Sequence, residues 1–129
     1  MSRLLIDTHA LLWFAAGDRQ LSTSAREGIA DPANNVFVSH ASVWEMAIKM
    51  SLGKLRLDRE LARWLNRYAA GNGFDFLPIS LSHLTEVAGL PHHHGDPFDR
   101  LLVTQCVLEN MPLVSRDPVF DAYGIKRVW

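Results

Sequence analysis

Apolar positions along the chain form short continuous runs that alternate with longer stretches of helical period. Arg3-Leu4-Leu5-Ile6 has the character of a short buried strand, and Asp7 ends it where a helical segment from Thr8 to Ala16 begins, closed by Gly17. Ser22 or Ser24 opens a short helix ending near Asp31-Pro32. Val36-Phe37-Val38 reads as a second strand, and Ser39 caps a helix that runs through Met50 and stops at Gly53. The pattern predicts a helix over about 58–70, with Leu61, Trp64, Leu65 and Tyr68 on one face and Gly71-Asn72-Gly73 ending it. Phe76-Leu77-Pro78-Ile79 reads as a strand that Pro78 places at an edge or at its end. A short helix follows, from Ser80 or Ser82 to Ala88, and Asp96-Pro97 starts the strongest helix, which reaches about Asn110. Leu113-Val114-Ser115 is the next strand, Asp117-Pro118 opens a helical turn, and residues 126–129 supply a last strand. Short apolar strands separated by helices predict an α/β fold, a three-layer α/β/α sandwich with a mainly parallel sheet of four to five strands.

The 129 residues suffice for one domain, spanning 1–129, with a single core and no linker of Pro, Gly and Ser to divide it. The lone cysteine, Cys106, excludes an internal disulfide framework and a cysteine zinc site, and favours a reducing, cytoplasmic location. No apolar run approaches the ~20 residues of a membrane span. Arg3, Leu4-Leu5-Ile6 and the run from Ala10 to Ala16 imitate a signal peptide, but Asp7 and His9 interrupt it, so the segment reads as mature structure. A net charge of −1 argues against indiscriminate coating of nucleic acid and leaves room for a local basic strip.

The acids carry the chemistry. Ligands of open parallel α/β sheets bind beyond the carboxyl ends of the strands. Asp7 follows the first strand directly, and Asp117 lies two residues past Ser115. Glu45 falls in the second turn of the helix leaving the second strand, and Asp96 and Asp99 begin the helix that leads back to the sheet. Each also has a structural reading. Asp7, Asp96 and Asp117 suit helix N-caps, Asp99 suits the reciprocal position of a capping box, and Glu45 with Lys49 suits an i,i+4 ion pair. Two features favour chemistry over caps alone. Asp99 shares a helical face with Leu102, Val103 and Cys106, where an uncompensated carboxylate is costly, and independent caps need not share one edge. Several carboxylates without cysteine form a hard-oxygen site suited to Mg²⁺ or Mn²⁺ and phosphodiester chemistry.

The ordered set Ile6-Asp7-Thr8-His9, Ser42-Val43-Trp44-Glu45, Gly53-Lys54-Leu55, Asp96-Pro97-Phe98-Asp99-Arg100-Leu101-Leu102 and Ser115-Arg116-Asp117 resembles PIN-domain ribonucleases, and within them VapC-type toxins of toxin–antitoxin modules. The resemblance runs nearly end to end. It implies a Mg²⁺- or Mn²⁺-dependent endoribonuclease, usually dimeric and silenced by a cognate antitoxin. Asp7, Glu45, Asp99 and Asp117 would be the catalytic acids, with Asp7, Asp99 and Asp117 as metal ligands and Glu45 and Asp96 as further candidates. Ser115 and Thr8 would support them.

Other features fit around that reading. His92-His93-His94 reads as a loop with at most one histidine near substrate, because three consecutive side chains do not face one ion. Cys106 reads as a core residue, and Trp13, Phe14, Trp44 and Trp64 as core or interface. Lys49, Lys54, Arg56, Arg59, Arg63 and Arg67 concentrate positive charge, and the four arginines approximate one helical stripe suited to RNA phosphates or to plain solvation. An apolar groove between Trp13/Phe14 and the Trp44 or Trp64 helix would receive an antitoxin helix. Two rivals compete. A receiver-type phosphoacceptor domain needs paired acids after the first strand and an aspartate after the third, where this chain has Asp7 alone and Phe76-Leu77-Pro78-Ile79-Ser80. A silent module that only binds RNA or protein would not require the complete acidic quartet.

Overall fold

The computed structural model describes residues 2–129. Five parallel strands form one sheet in the order β3-β2-β1-β4-β5: β1 (Arg3–Ile6), β2 (Asn35–Ser39), β3 (Asp75–Leu77), β4 (Leu113–Val114) and β5 (Arg127–Val128). Side chains alternate across the sheet, so Leu4 and Ile6 join one core and Leu5 the other. Helices α1 (Thr8–Ala16) and α2 (Thr23–Ala30) pack Ala10, Leu11, Ala25 and Ile29 into the first core, together with Met46 of α3 (His40–Ser51) and Trp64 of α4 (Leu61–Tyr68). Helix α6 (Pro97–Glu109), beside α5 (Leu81–Val87), packs Leu101, Leu102, Val103 and Cys106 into the second, with Phe120 of the 3₁₀ helix Pro118–Tyr123. The outcome is the expected α/β/α sandwich. Burial pushes the Cys106 thiol up to about 12, as suits an inert core residue.

The chain steps outward from β1 to β2 to β3, then crosses back to place β4 on the other side of β1. The direction of winding therefore reverses between β1 and β4, and a crevice opens at their carboxyl ends. Asp7 N–H donates to the Val114 carbonyl (3.1 Å), which extends the β1–β4 ladder to the lip of that crevice.

Local chemistry sets the element ends. Asp7, Ser22, Ser39, Ser80, Asp96 and Asp117 all accept backbone N–H bonds as N-caps. The C-cap of α1, Gly17, has φ +64°, a left-handed conformation glycine adopts without a Cβ penalty.

Three expectations change. The helix foreseen over about 58–70 is α4, only Leu61–Tyr68, followed by a 3₁₀ turn at Ala70–Asn72. The helix starts at Leu61 after Glu60, and both carboxylate oxygens of Asp58 are held by Arg59 (3.1 and 2.9 Å). Arg56 and Arg59 thus precede α4, and only Arg63 and Arg67 lie on it, so the four do not form one helical stripe. The third strand ends at Leu77, since Pro78 has no N–H to continue the ladder, and it occupies an edge as that proline implies. The anticipated capping box at Asp96 is not made by Asp99: Asp96 N–H donates to His94 Nδ1 (3.1 Å).

Candidate active site

A cleft of about 170 Å³ at the β1–β4 crevice is lined by Asp7, Thr8, Glu45, Lys49, His94, Asp96, Asp99 and Asp117, among others. Every acid singled out from the sequence therefore reaches one space. Asp7 arrives by following β1, and its Oδ1 accepts Ala10 N–H (2.8 Å) as the cap of α1. Burial pushes its carboxyl above the usual range, while hydrogen bonding from Ser115 and Ala10 and the nearby His9 oppose that. Ser115 is buried beneath the acids, and its Oγ also accepts Asp117 N–H (3.1 Å). One hydroxyl thus links the two acids that flank the crevice.

Glu45 comes from the second turn of α3, which begins at the end of β2. Its side chain is 8% exposed and fully partnered: Thr8 Oγ1 donates to Oε1 (2.6 Å) and Lys49 Nζ to Oε2 (2.8 Å). The ion pair read as a surface feature is present, but its acid is buried and its cation faces the cleft. Asp96 caps α6 through Oδ1, which accepts from Phe98 (2.8 Å) and Asp99 (3.0 Å) N–H groups. Asp99 stands in the first turn of α6, and its pKa rises to about 7, from burial first and then repulsion by Asp96, Asp7, Glu45 and Asp117. Asp117 Oδ1 caps the 3₁₀ helix through Val119 N–H (3.0 Å), leaving Oδ2 toward the cleft.

His94 is the histidine of the His92–His94 loop that reaches the cleft, a choice the sequence left open. Its Nε2 lies 3.1 Å from Asp99 Oδ2 and 3.3 Å from Asp117 Oδ2. Because Nδ1 accepts the Asp96 N–H, the neutral ring carries its proton on Nε2 and donates it to those carboxylates. Two further groups hold the loop. Tyr123 Oη accepts from His93 and His94 N–H (3.1 and 2.8 Å), and buried Arg100 donates to the carbonyls of Pro91 (2.9 Å) and Leu90 (3.2 Å). The available signal was the His92–His94 run just before Asp96, but which histidine turns inward depends on Tyr123, 29 residues away.

Of the basic residues, Lys49 enters the cleft, while Lys54, Arg56, Arg59, Arg63 and Arg67 are exposed away from the cleft lining. Arg59 pairs with Asp58 and Arg63 with Glu60, and Arg59 and Arg67 lie over the Tyr68 ring. Trp64 is buried, whereas Trp44 is 57% exposed and meets Phe98 edge-on (5.2 Å) beside the acids. A second hollow of about 360 Å³ runs between α1 and α4, lined by Leu12, Trp13, Leu55, Leu57, Trp64 and Tyr68 and flanked by the charged Arg56 and Asp58.

The donor chemistry fits a hard divalent cation: carboxylate oxygens crowded until one is half protonated near neutral pH are what such an ion neutralises. Among the described residues, no three acidic, histidine or cysteine side chains stand as a ready ligand set for one ion, and several of the cleft's carboxylate oxygens already accept from Thr8, Lys49 and His94. Binding would require some of those oxygens to exchange partners.

Comparison with known proteins gives a consistent result. A ribonuclease of Mycobacterium tuberculosis, Ribonuclease VapC22, is 27% identical over 118 residues, covering 91% of this chain and 88% of that protein. VapBC2 from Rickettsia felis, solved bound to a promoter DNA fragment, superposes with TM-score 0.70 at 13% identity, covering 97% of this chain and 96% of that one. FitAcB from Neisseria gonorrhoeae gives TM-score 0.61 at 15% identity, with 96% and 95% covered. The profile of the PIN domain matches residues 4–126, so the chain belongs to the PIN-domain family.

Proposed function

We propose that this chain is a Mg²⁺- or Mn²⁺-dependent endoribonuclease that acts as the toxin of a toxin–antitoxin module. The observation that carries this reading is the convergence of Asp7, Glu45, Asp99 and Asp117 on one cleft of a PIN-domain fold, with Asp99 raised by the others. The relative named Ribonuclease VapC22 supports the activity, and the VapBC2 and FitAcB structures support a cognate antitoxin partner. A divalent ion held by Asp7, Asp99 and Asp117, with Glu45 and Asp96 at its margin, would activate water and offset charge growing on the phosphodiester oxygens.

This chain's own groups serve around that site. Ser115 fixes Asp7 and the Asp117 backbone, and Thr8 and Lys49 fix Glu45. The Lys49 ammonium adds a positive charge at the cleft where a phosphate would enter. Lys54, Arg56, Arg59, Arg63 and Arg67 would contact the RNA backbone, Arg59 and Arg63 after release from their acidic neighbours. The hollow between α1 and α4, apolar apart from Arg56 and Asp58, suits an amphipathic antitoxin helix. A homodimer in the cytoplasm completes the proposal; no helix among the described residues is long and apolar enough to cross a membrane.

The test is expression of the chain in cells, alone and with the small open reading frame beside its gene, with Asp7→Asn as control and RNA ends mapped by sequencing. The wild type alone should create new RNA ends and arrest growth, Asp7→Asn should do neither, and the neighbouring product should suppress both. A harmless wild type with RNA ends matching those of Asp7→Asn would overturn the proposal in favour of a silent binding module.

A further inference from the structure

His94 is held more completely than a loop residue beside a carboxylate cluster needs to be. Its backbone N–H donates to Tyr123 Oη, its Nδ1 accepts Asp96 N–H, and its ring lies against Phe120 (centroids 5.5 Å apart). The remaining ring nitrogen faces Oδ2 atoms of two different acids, 3.1 and 3.3 Å away. Here a single N–H contacts oxygens of two different carboxylates that line the cleft.

We propose that His94 is a displaceable occupant of the cation site, and that a divalent ion binds by taking Asp99 Oδ2 and Asp117 Oδ2 from its Nε2–H. The inference rests on the metal-dependent reading above and adds the exchange that ion binding requires. Without the ion, His94 partly offsets the repulsion between Asp99 and Asp117 by donating to both, so the cleft holds together. Tyr123 and Arg100 anchor the backbone on either side of Pro91, so release needs rotation of the His94 side chain and no opening of the loop. The rotated ring is then a free donor at the cleft mouth, where RNA phosphate arrives. His94 is in this sense a positioning residue, acting through Asp99 and Asp117.

Mn²⁺ titrations followed by electron paramagnetic resonance, on wild type, His94→Ala, His94→Asn and Asp99→Asn, test this directly. His94→Asn is the informative variant, because its amide oxygen can accept Asp96 N–H two residues on while its amide is too short to bridge the acids. Removing a hydrogen bond to charged groups that the ion must break should tighten Mn²⁺ binding about tenfold in both His94 variants. Equal or weaker binding by His94→Asn would overturn the proposal and leave the metal site standing. Wild-type affinity in Asp99→Asn would instead defeat the metal reading itself. A second readout is the imidazole ¹⁵N spectrum of wild type. It should show Nε2–H hydrogen-bonded to the carboxylates without ion and shift to a solvent-exposed imidazole on saturation with diamagnetic Mg²⁺, while an unchanged His94 signal at saturation would overturn the proposal.

Discussion

Replacing Asp99 by asparagine should stabilise the metal-free protein while removing its activity. Folding raises the Asp99 pKa from the ordinary 3.8 to about 7, so the folded state holds this proton more tightly than the unfolded chain. The sign follows from linkage: the native state binds more protons between those values, and stability falls as pH rises through that window. The favourable contribution is complete below about pH 4, is lost by about pH 7, and does not return at higher pH. About three pKa units at 1.36 kcal/mol each set a ceiling of about 4 kcal/mol. The side chain is 26% exposed, so solvent shares its field and on the order of 2 kcal/mol is the working expectation. Asparagine has the same shape, cannot ionise, and its Oδ1 can still accept the His94 Nε2–H. For a chain of 129 residues, 2 kcal/mol corresponds to a melting-temperature gain of roughly 6–10 °C. Thermal unfolding by circular dichroism in EDTA, from pH 4.5 to 8, is the assay. The gain should be small at pH 4.5, grow toward pH 7 and level off above it. A variant that melts at or below the wild type at pH 7.5 would refute the argument that crowded, buried carboxylates strain this cleft.

Other expectations follow from the same contacts. Asp96→Ser should cost under about 1 kcal/mol and keep most activity, because serine caps α6 nearly as well, and Asp96→Ala should cost about 1 kcal/mol more; an Asp96→Ser enzyme as inactive as Asp99→Asn would make Asp96 a ligand. Trp64→Ala should cost about 3–5 kcal/mol by denaturant titration, since that ring is buried in the core and walls the α1–α4 hollow; near-wild-type stability would contradict its placement. Antitoxin binding should weaken for Trp13→Ser in a pull-down while RNA cleavage persists, because Trp13 lines the hollow and not the cleft; loss of both would contradict two separate sites. Lys54→Ala and Arg67→Ala should each lower the slope of log affinity against log salt by about 0.7 for single-stranded RNA; unchanged slopes would return these residues to a solvated surface.

The fold was legible because its signals are local. Strand runs such as Leu4-Leu5-Ile6, the capping residues Asp7, Ser39 and Asp96, and Gly17 each act within a few residues of the structure they specify. Where the reading missed, a local signal met a competitor. The helix expected from about residue 58 starts only at Leu61, the Asp58 carboxylate being tied to Arg59, and with α4 shortened the arginine stripe dissolved. The acids of the cleft were legible because a parallel sheet collects the ends of its strands on one edge, so position alone brought Asp7, Glu45 and Asp117 together. His94 was not legible, since its placement depends on Tyr123 and Arg100, whose partners are set by packing and not by spacing. Trp44 and Trp64 share helical spacing, yet Trp64 is buried and Trp44 is exposed beside Phe98, so helical period alone does not tell a buried face from an open one.

Cleavage of a labelled single-stranded RNA by the purified chain, in Mg²⁺ or Mn²⁺ and in excess EDTA, probes the carboxylate-held ion most directly. The wild type should cut only with the divalent ion present, and Asp7→Asn and Asp99→Asn should remain folded and inactive under the same conditions. Undiminished cleavage in excess EDTA, or full activity of Asp7→Asn, would contradict a metal-dependent nuclease built on these four acids.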